Sequence, residues 1–225
     1  MRTAIELLLL ALAWGASLSV QPWRLLRRYD GQLPPLVTPF LACATILPWL
    51  WSWPAHAVLP LPLHWSGAPL VALLVGWPLT IPLVTLAGLS TMLTTGATLG
   101  QALSVTVWSG VLPATLVLLL GHGVRKACGT NAVAYMVGRA FLVPMVTLAA
   151  CGFSAALLSH AFHGPTAELQ RIAMMLLAMG EASWSCALVS LLVAYRPQWL
   201  ATWSDTMYLR RPASQRVPAQ VQRRR

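Results

Sequence analysis

The sequence predicts an all-α integral membrane protein, a bundle of about seven transmembrane helices, and three observations carry that prediction. Of 225 residues, 57% are hydrophobic and only 9% charged, against about a quarter charged in an ordinary soluble domain. Such a chain cannot cover a water-facing surface. The apolar residues also fall into runs long enough to cross a bilayer, for which about 20 residues suffice. Finally, the 11 tryptophans gather near the ends of those runs, as at Trp49, Trp51 and Trp53, where amphipathic rings sit at a headgroup boundary.

The first run, residues 4–20, follows Arg2 and ends near the small residues Ala16 and Ser17, in the manner of a signal peptide. Glu6 at its head is foreign to one, so the run reads as a retained helix. Further runs cover residues 36–53, 68–93, 103–121, 132–162 and 172–194. Counted once each they make six crossings, with both termini on one side. Positive residues in short loops favour the cytoplasm, and three clusters stand out: Arg24, Arg27 and Arg28; Arg125 and Lys126; and the tail from Arg196 to Arg225. They share a side only if residues 61–93 cross twice. That stretch holds the break Gly76-Trp77-Pro78, with Pro82 just beyond, and proline in a helix interior removes a hydrogen bond and clashes with the preceding turn. Seven crossings result, with the N-terminus outside and the C-terminus cytoplasmic. All basic residues except Arg2, Arg139 and Arg171 then lie in cytoplasmic loops or the tail. Two crossings in so short a stretch predict that one is tilted, thinned or re-entrant. Residues 1–209 read as one transmembrane domain and 210–225 as a basic cytoplasmic tail. The net charge of +10, bunched in that tail, is a membrane-side anchor rather than a nucleic-acid surface.

Candidate chemistry is sparse. Cys43, Cys128, Cys151 and Cys186 are far apart and form no C-x-x-C pair, so they read as packing residues. Seven crossings place His56 and His64 in one external loop and His160 and His163 in another, leaving His122 inside. Imidazole is a good ligand for nickel, cobalt and zinc, which makes these four candidate ligands for a divalent metal at an entry site; the bland reading is histidine tolerated at an interface. Glu181 lies deep in the last run, where a carboxyl facing lipid is costly. It either lines a substrate cavity or holds a polar network together. Glu6, near the outer end of its helix, is expected to reach water, and Arg139 to snorkel to the cytoplasmic interface. Ala11-x-x-x-Gly15, Ala150-x-x-x-Ser154 and Ala178-x-x-x-Ala182 are candidate helix seams. No phosphate-binding loop, H-E-x-x-H or G-x-S-x-G is present, so no enzyme activity is expected, and energy has to come from a partner or a gradient.

Met179-Gly180-Glu181-Ala182, then Tyr195-Arg196-Pro197-Gln198-Trp199, Trp203-Ser204-Asp205 and Tyr208-Leu209, together resemble the substrate-capture permeases of energy-coupling-factor ABC transporters. The likeness is to their cobalt and nickel (CbiM/NikM-like) type, in a divergent branch. Leu63-His64-Trp65-Ser66-Gly67 and Gly76-Trp77-Pro78 are similar to that group's histidine-leucine-x-glycine stretch and glycine-tryptophan-proline break, and residues 131–156 are similar too. The resemblance implies a seven-helix capture subunit of the bacterial inner membrane, working with a transmembrane coupling subunit and a pair of cytoplasmic ATPases. It implies metal binding by the N-terminal amine of Met1, a histidine at position two and a later histidine matched by His64. Position two here is Arg2, so that ligand is absent, and His56, His160, His163 or Glu181 is left to compensate. The expected function is therefore uptake of cobalt, nickel or a small related solute. The alternative is a membrane-embedded accessory or assembly protein with no solute of its own. An intramembrane enzyme fits less well, because Glu181 stands alone at its depth.

Overall fold

The computed structural model describes residues 2–26, 34–52, 65–158 and 167–208. Among these, every regular element is helical. The main ones are α1 (Arg2–Ser19), α2 (Val37–Ser52), α3 (Ala68–Val75), α4 (Trp77–Thr94), α5 (Leu99–Cys128), α6 (Ala134–Leu158) and α7 (Ala167–Tyr195). A short helix, α8 (Asp205–Tyr208), follows a single turn at Pro197–Trp199. The helices α1, α4, α5, α6 and α7 are long and apolar enough to cross a bilayer. Their outward faces carry Leu8, Leu12, Leu119, Leu176, Trp184 and Leu191, all more than half exposed, as lipid contact requires. Only 17% of α1's apolar window is buried, so α1 lies at the margin of the bundle.

The helices alternate in direction. Arg2 at the start of α1 reaches Ser104 near the start of α5, and Thr94 at the end of α4 reaches Ser52 at the end of α2; these mark one end of the bundle. At the other end Ser17 of α1 meets Pro78 at the start of α4, and Ala201, just past α7, meets Leu74 at the end of α3. The first and last described residues thus lie at opposite ends, as an odd number of passes requires.

The predicted break is present. Gly76 has φ 83 and ψ 155, backbone that only glycine adopts readily. Its N–H closes α3 on the Ala72 carbonyl, and its carbonyl accepts the Thr80 N–H that opens α4. Pro78 sits in the first turn of α4, where its missing N–H costs nothing. On the other side of the break, α3 has 8 residues, about 12 Å at 1.5 Å per residue. That is less than half of the ~30 Å hydrocarbon core, so the short pass is a half-helix.

Proline also marks the two helices that contain π-helical turns. The π-helical stretches Thr106–Val111 and Ala134–Leu142 each stop just before a proline, Pro113 and Pro144. A wider turn relieves the clash between the ring and the carbonyl of the preceding turn. Of the three small-residue seams expected, only Ala178 and Ala182 are buried. Ala11, Gly15, Ala150 and Ser154 are exposed, because those faces of α1 and α6 point away from the bundle. The tightest approach is instead α4 on α5, where a Cβ on Gly88 would stand 1.7 Å from Thr106 Oγ1.

Candidate functional site

The half-helix creates a problem that the rest of the site answers. Its first turn is buried, and a helix start leaves N–H groups with no partner in the helix. Gly67, the residue before it, is left-handed at φ 65 and provides no side-chain cap. Glu181, from the middle of α7, takes that place. Its carboxyl accepts the Ser66 N–H at 2.5 Å and the Gly67 N–H at 3.2 Å, and Ser66 Oγ accepts the Ala68 N–H at 3.2 Å. The positive end of the α3 dipole favours a carboxyl at this point. Of the two readings of Glu181, the geometry gives it the network-holding contacts.

Ser66 carries the network onward. Trp51 Nε1 donates to its carbonyl at 2.8 Å, tying in α2, and its hydroxyl donates to the Ser109 carbonyl of α5. Pro113, four residues after Ser109, has no N–H to offer that carbonyl, so the serine occupies a position that proline left open. The neighbouring residue, Trp108, donates through Nε1 to Glu6 Oε1 at 2.9 Å. Glu6 in turn accepts from Arg2 Nε at 3.0 Å, and Arg2 Nη2 donates to Ser104 Oγ at 2.6 Å. The two buried carboxyls, Glu6 at 3% and Glu181 at 5% exposure, therefore meet α5 through consecutive residues. One polar chain crosses the bundle from α1 to α7.

The far end of α3 is held as firmly. Ala201 N–H donates to the Leu74 carbonyl at 2.8 Å, and Thr202 Oγ1 donates to the Leu73 carbonyl at 2.9 Å. These are the orphan acceptors of a helix terminus. Tyr135 hydroxyl pairs with Thr202 Oγ1 at 2.7 Å, and the rings of Tyr135, Trp203 and Tyr208 pack together at centroid distances of 4.8 to 5.0 Å. The residues around Glu181, around Ser66 and around Trp203 thus converge on the two ends of one short helix.

His56, His64, His160, His163 and Met1 lie outside the described residues. Among the described residues, no three His, Cys, Asp or Glu side chains come together. Two expectations are corrected. Glu6 does not reach water, because Arg2 folds over it one turn back and Trp108 covers it. Nor does Arg139 snorkel free: it is 9% exposed, laid between α5 and α6. Cys43 and Cys151 are buried as packing predicts, whereas Cys128 is exposed at the end of α5. Arg2 and Glu6 were detectable as an i, i+4 ion pair. Ser66 and Ser17 were not, because each caps a carbonyl exposed by a proline in another segment.

No family model, curated protein or solved structure matches the chain. The class that fold and composition define is a polytopic helical membrane protein with a half-helix inserted beside its fourth helix.

Proposed function

We propose that this protein is the substrate-capture permease of an energy-coupling-factor ABC transporter in a bacterial inner membrane. Its solute is a cobalt or nickel ion, or a small related solute. The observation that carries the reading is the convergence of α1 and the residues following His64 on Trp108 and Ser109 of α5. A ligand set drawn from the chain's start and from His64 requires those two segments to lie side by side, and they share one polar chain. In this reading the Arg2 end of the bundle faces outside and the Arg125 end faces the cytoplasm. That orientation follows the basic residues of α5's last turn and of the tail. Arg2 replaces a metal ligand with a cation held by Glu6 and Ser104, which favours a weaker, more open metal site or an altered solute.

A transmembrane coupling subunit and a cytoplasmic ATPase pair supply energy in this reading. Uptake of radiolabelled nickel or cobalt by cells expressing the chain with such partners tests it. Uptake that depends on the gene and falls in His64→Ala supports metal capture; accumulation equal with and without the gene refutes it. The commitment of Glu6 and Glu181 to hydrogen bonds inside the bundle favours one competing reading, an accessory membrane protein with no solute of its own. That reading predicts no uptake and co-purification with a different membrane complex.

A further inference from the structure

At the Arg125 end of the bundle, away from the polar chain, Arg139 is buried between α5 and α6 with 9% exposure, and its Nε has no hydrogen-bond partner among the described residues. Its Cζ lies 5.9 Å from the centre of the Tyr135 ring. Gly121 of α5 makes room for it, since a Cβ there would stand 3.0 Å from Nε. Arg139 lines an open cleft shared with Gly121, Arg125, Gly129, Tyr135 and Tyr208.

The chain has five acidic residues. Glu6 and Glu181 are engaged in the polar chain, and Glu168 is in the first turn of α7, at the opposite end of the bundle. Asp205 accepts from Trp203 Nε1 at 2.6 Å, and Asp30 lies outside the described residues. Among the described residues no carboxyl pairs with Arg139, and a buried guanidinium without an anion is strongly disfavoured. Arg139 is about 8 Å along the axis from the first residue of α6, beside the basic last turn of α5 with Arg125 and Lys126. That is the level at which headgroups lie against a spanning helix.

We propose that the Arg139 cleft binds a phosphate oxyanion, with the guanidinium fork facing its oxygens and Tyr135 and Tyr208 walling the site. A planar fork of N–H donors matches phosphate bidentately. The phosphate belongs either to a lipid headgroup or to a free anion, and the test separates these sources. Full-length protein in maltoside detergent, free of phosphate, is titrated with dioctanoyl phosphatidylglycerol in one arm and inorganic phosphate in the other, with thermal unfolding as the readout. Saturable stabilisation by the lipid alone assigns a headgroup, and equal saturable stabilisation by inorganic phosphate assigns the free anion. In either case Arg139→Gln weakens binding about tenfold or more while leaving the ligand-free protein at least as stable. Arg139→Lys keeps the charge without the fork, binds more weakly than wild type, and serves if the glutamine variant does not fold. Absence of saturable binding to wild type in both arms, or equal binding by wild type and Arg139→Gln, overturns the proposal.

Discussion

Replacing Glu181 by alanine removes the group that closes the start of α3. Two backbone N–H groups, of Ser66 and Gly67, lose their acceptor in a buried setting, at about 1–3 kcal/mol each. Taking both losses toward the lower end of that range gives about 3 kcal/mol together. Set against a stability of about 5–15 kcal/mol for a typical domain, that is a large loss. Glu181→Gln keeps one acceptor oxygen and should cost about half as much. Thermal unfolding of the full chain in lipid nanodiscs, followed by the fluorescence of its 11 tryptophans, reads both variants. The reasoning is refuted if Glu181→Ala unfolds within about 0.5 kcal/mol of wild type, the scatter expected of a surface change.

Two further predictions address the packing. Gly88→Ala should destabilise the bundle by about 2 kcal/mol, because its methyl would meet Thr106 Oγ1 at 1.7 Å. Thr106→Ala in the same chain should restore part of that loss, and lack of any restoration would show that the clash lies elsewhere. Ser17→Ala should cost about 1 kcal/mol by stripping the Pro78 carbonyl of its 2.7 Å donor. Pro82→Ala should then recover stability by returning the helical N–H to that carbonyl, and strictly additive unfolding energies for the pair would contradict the link.

Helix positions were legible in the sequence wherever burial in lipid dictates composition. Residues 4–20 and 36–53 fall within a residue or two of α1 and α2, and the break at Gly76-Trp77-Pro78 was read from its glycine and prolines. Ends were missed where polar chemistry extends an apolar run. The start of α5 precedes its predicted run because Thr98 and Gln101 form a reciprocal cap, and its end runs on through Arg125 and Lys126, which suit a helix C-terminus. For the same reason α7 starts at Ala167, with Glu168 in its first turn. The candidate site was half visible. Glu181 was singled out by the cost of a carboxyl in lipid, and the Leu63–Gly67 stretch by its resemblance to a known family. Their meeting was not legible, since a contact between residues 66 and 181 depends on how far α3 descends, which no local pattern encodes. Glu6 was misjudged because position along a helix does not say which face is covered.

The central claim is that the chain turns back at Gly76, so that α3 and α4 run in opposite senses and the two ends of the protein lie on opposite sides of the membrane. A pair of topology reporters tests it, one inserted after Ser52 and one fused after Leu93. The account predicts that both reporters lie on the external side, because α3 descends and α4 returns between them; reporters on opposite sides would show a single crossing there and contradict it.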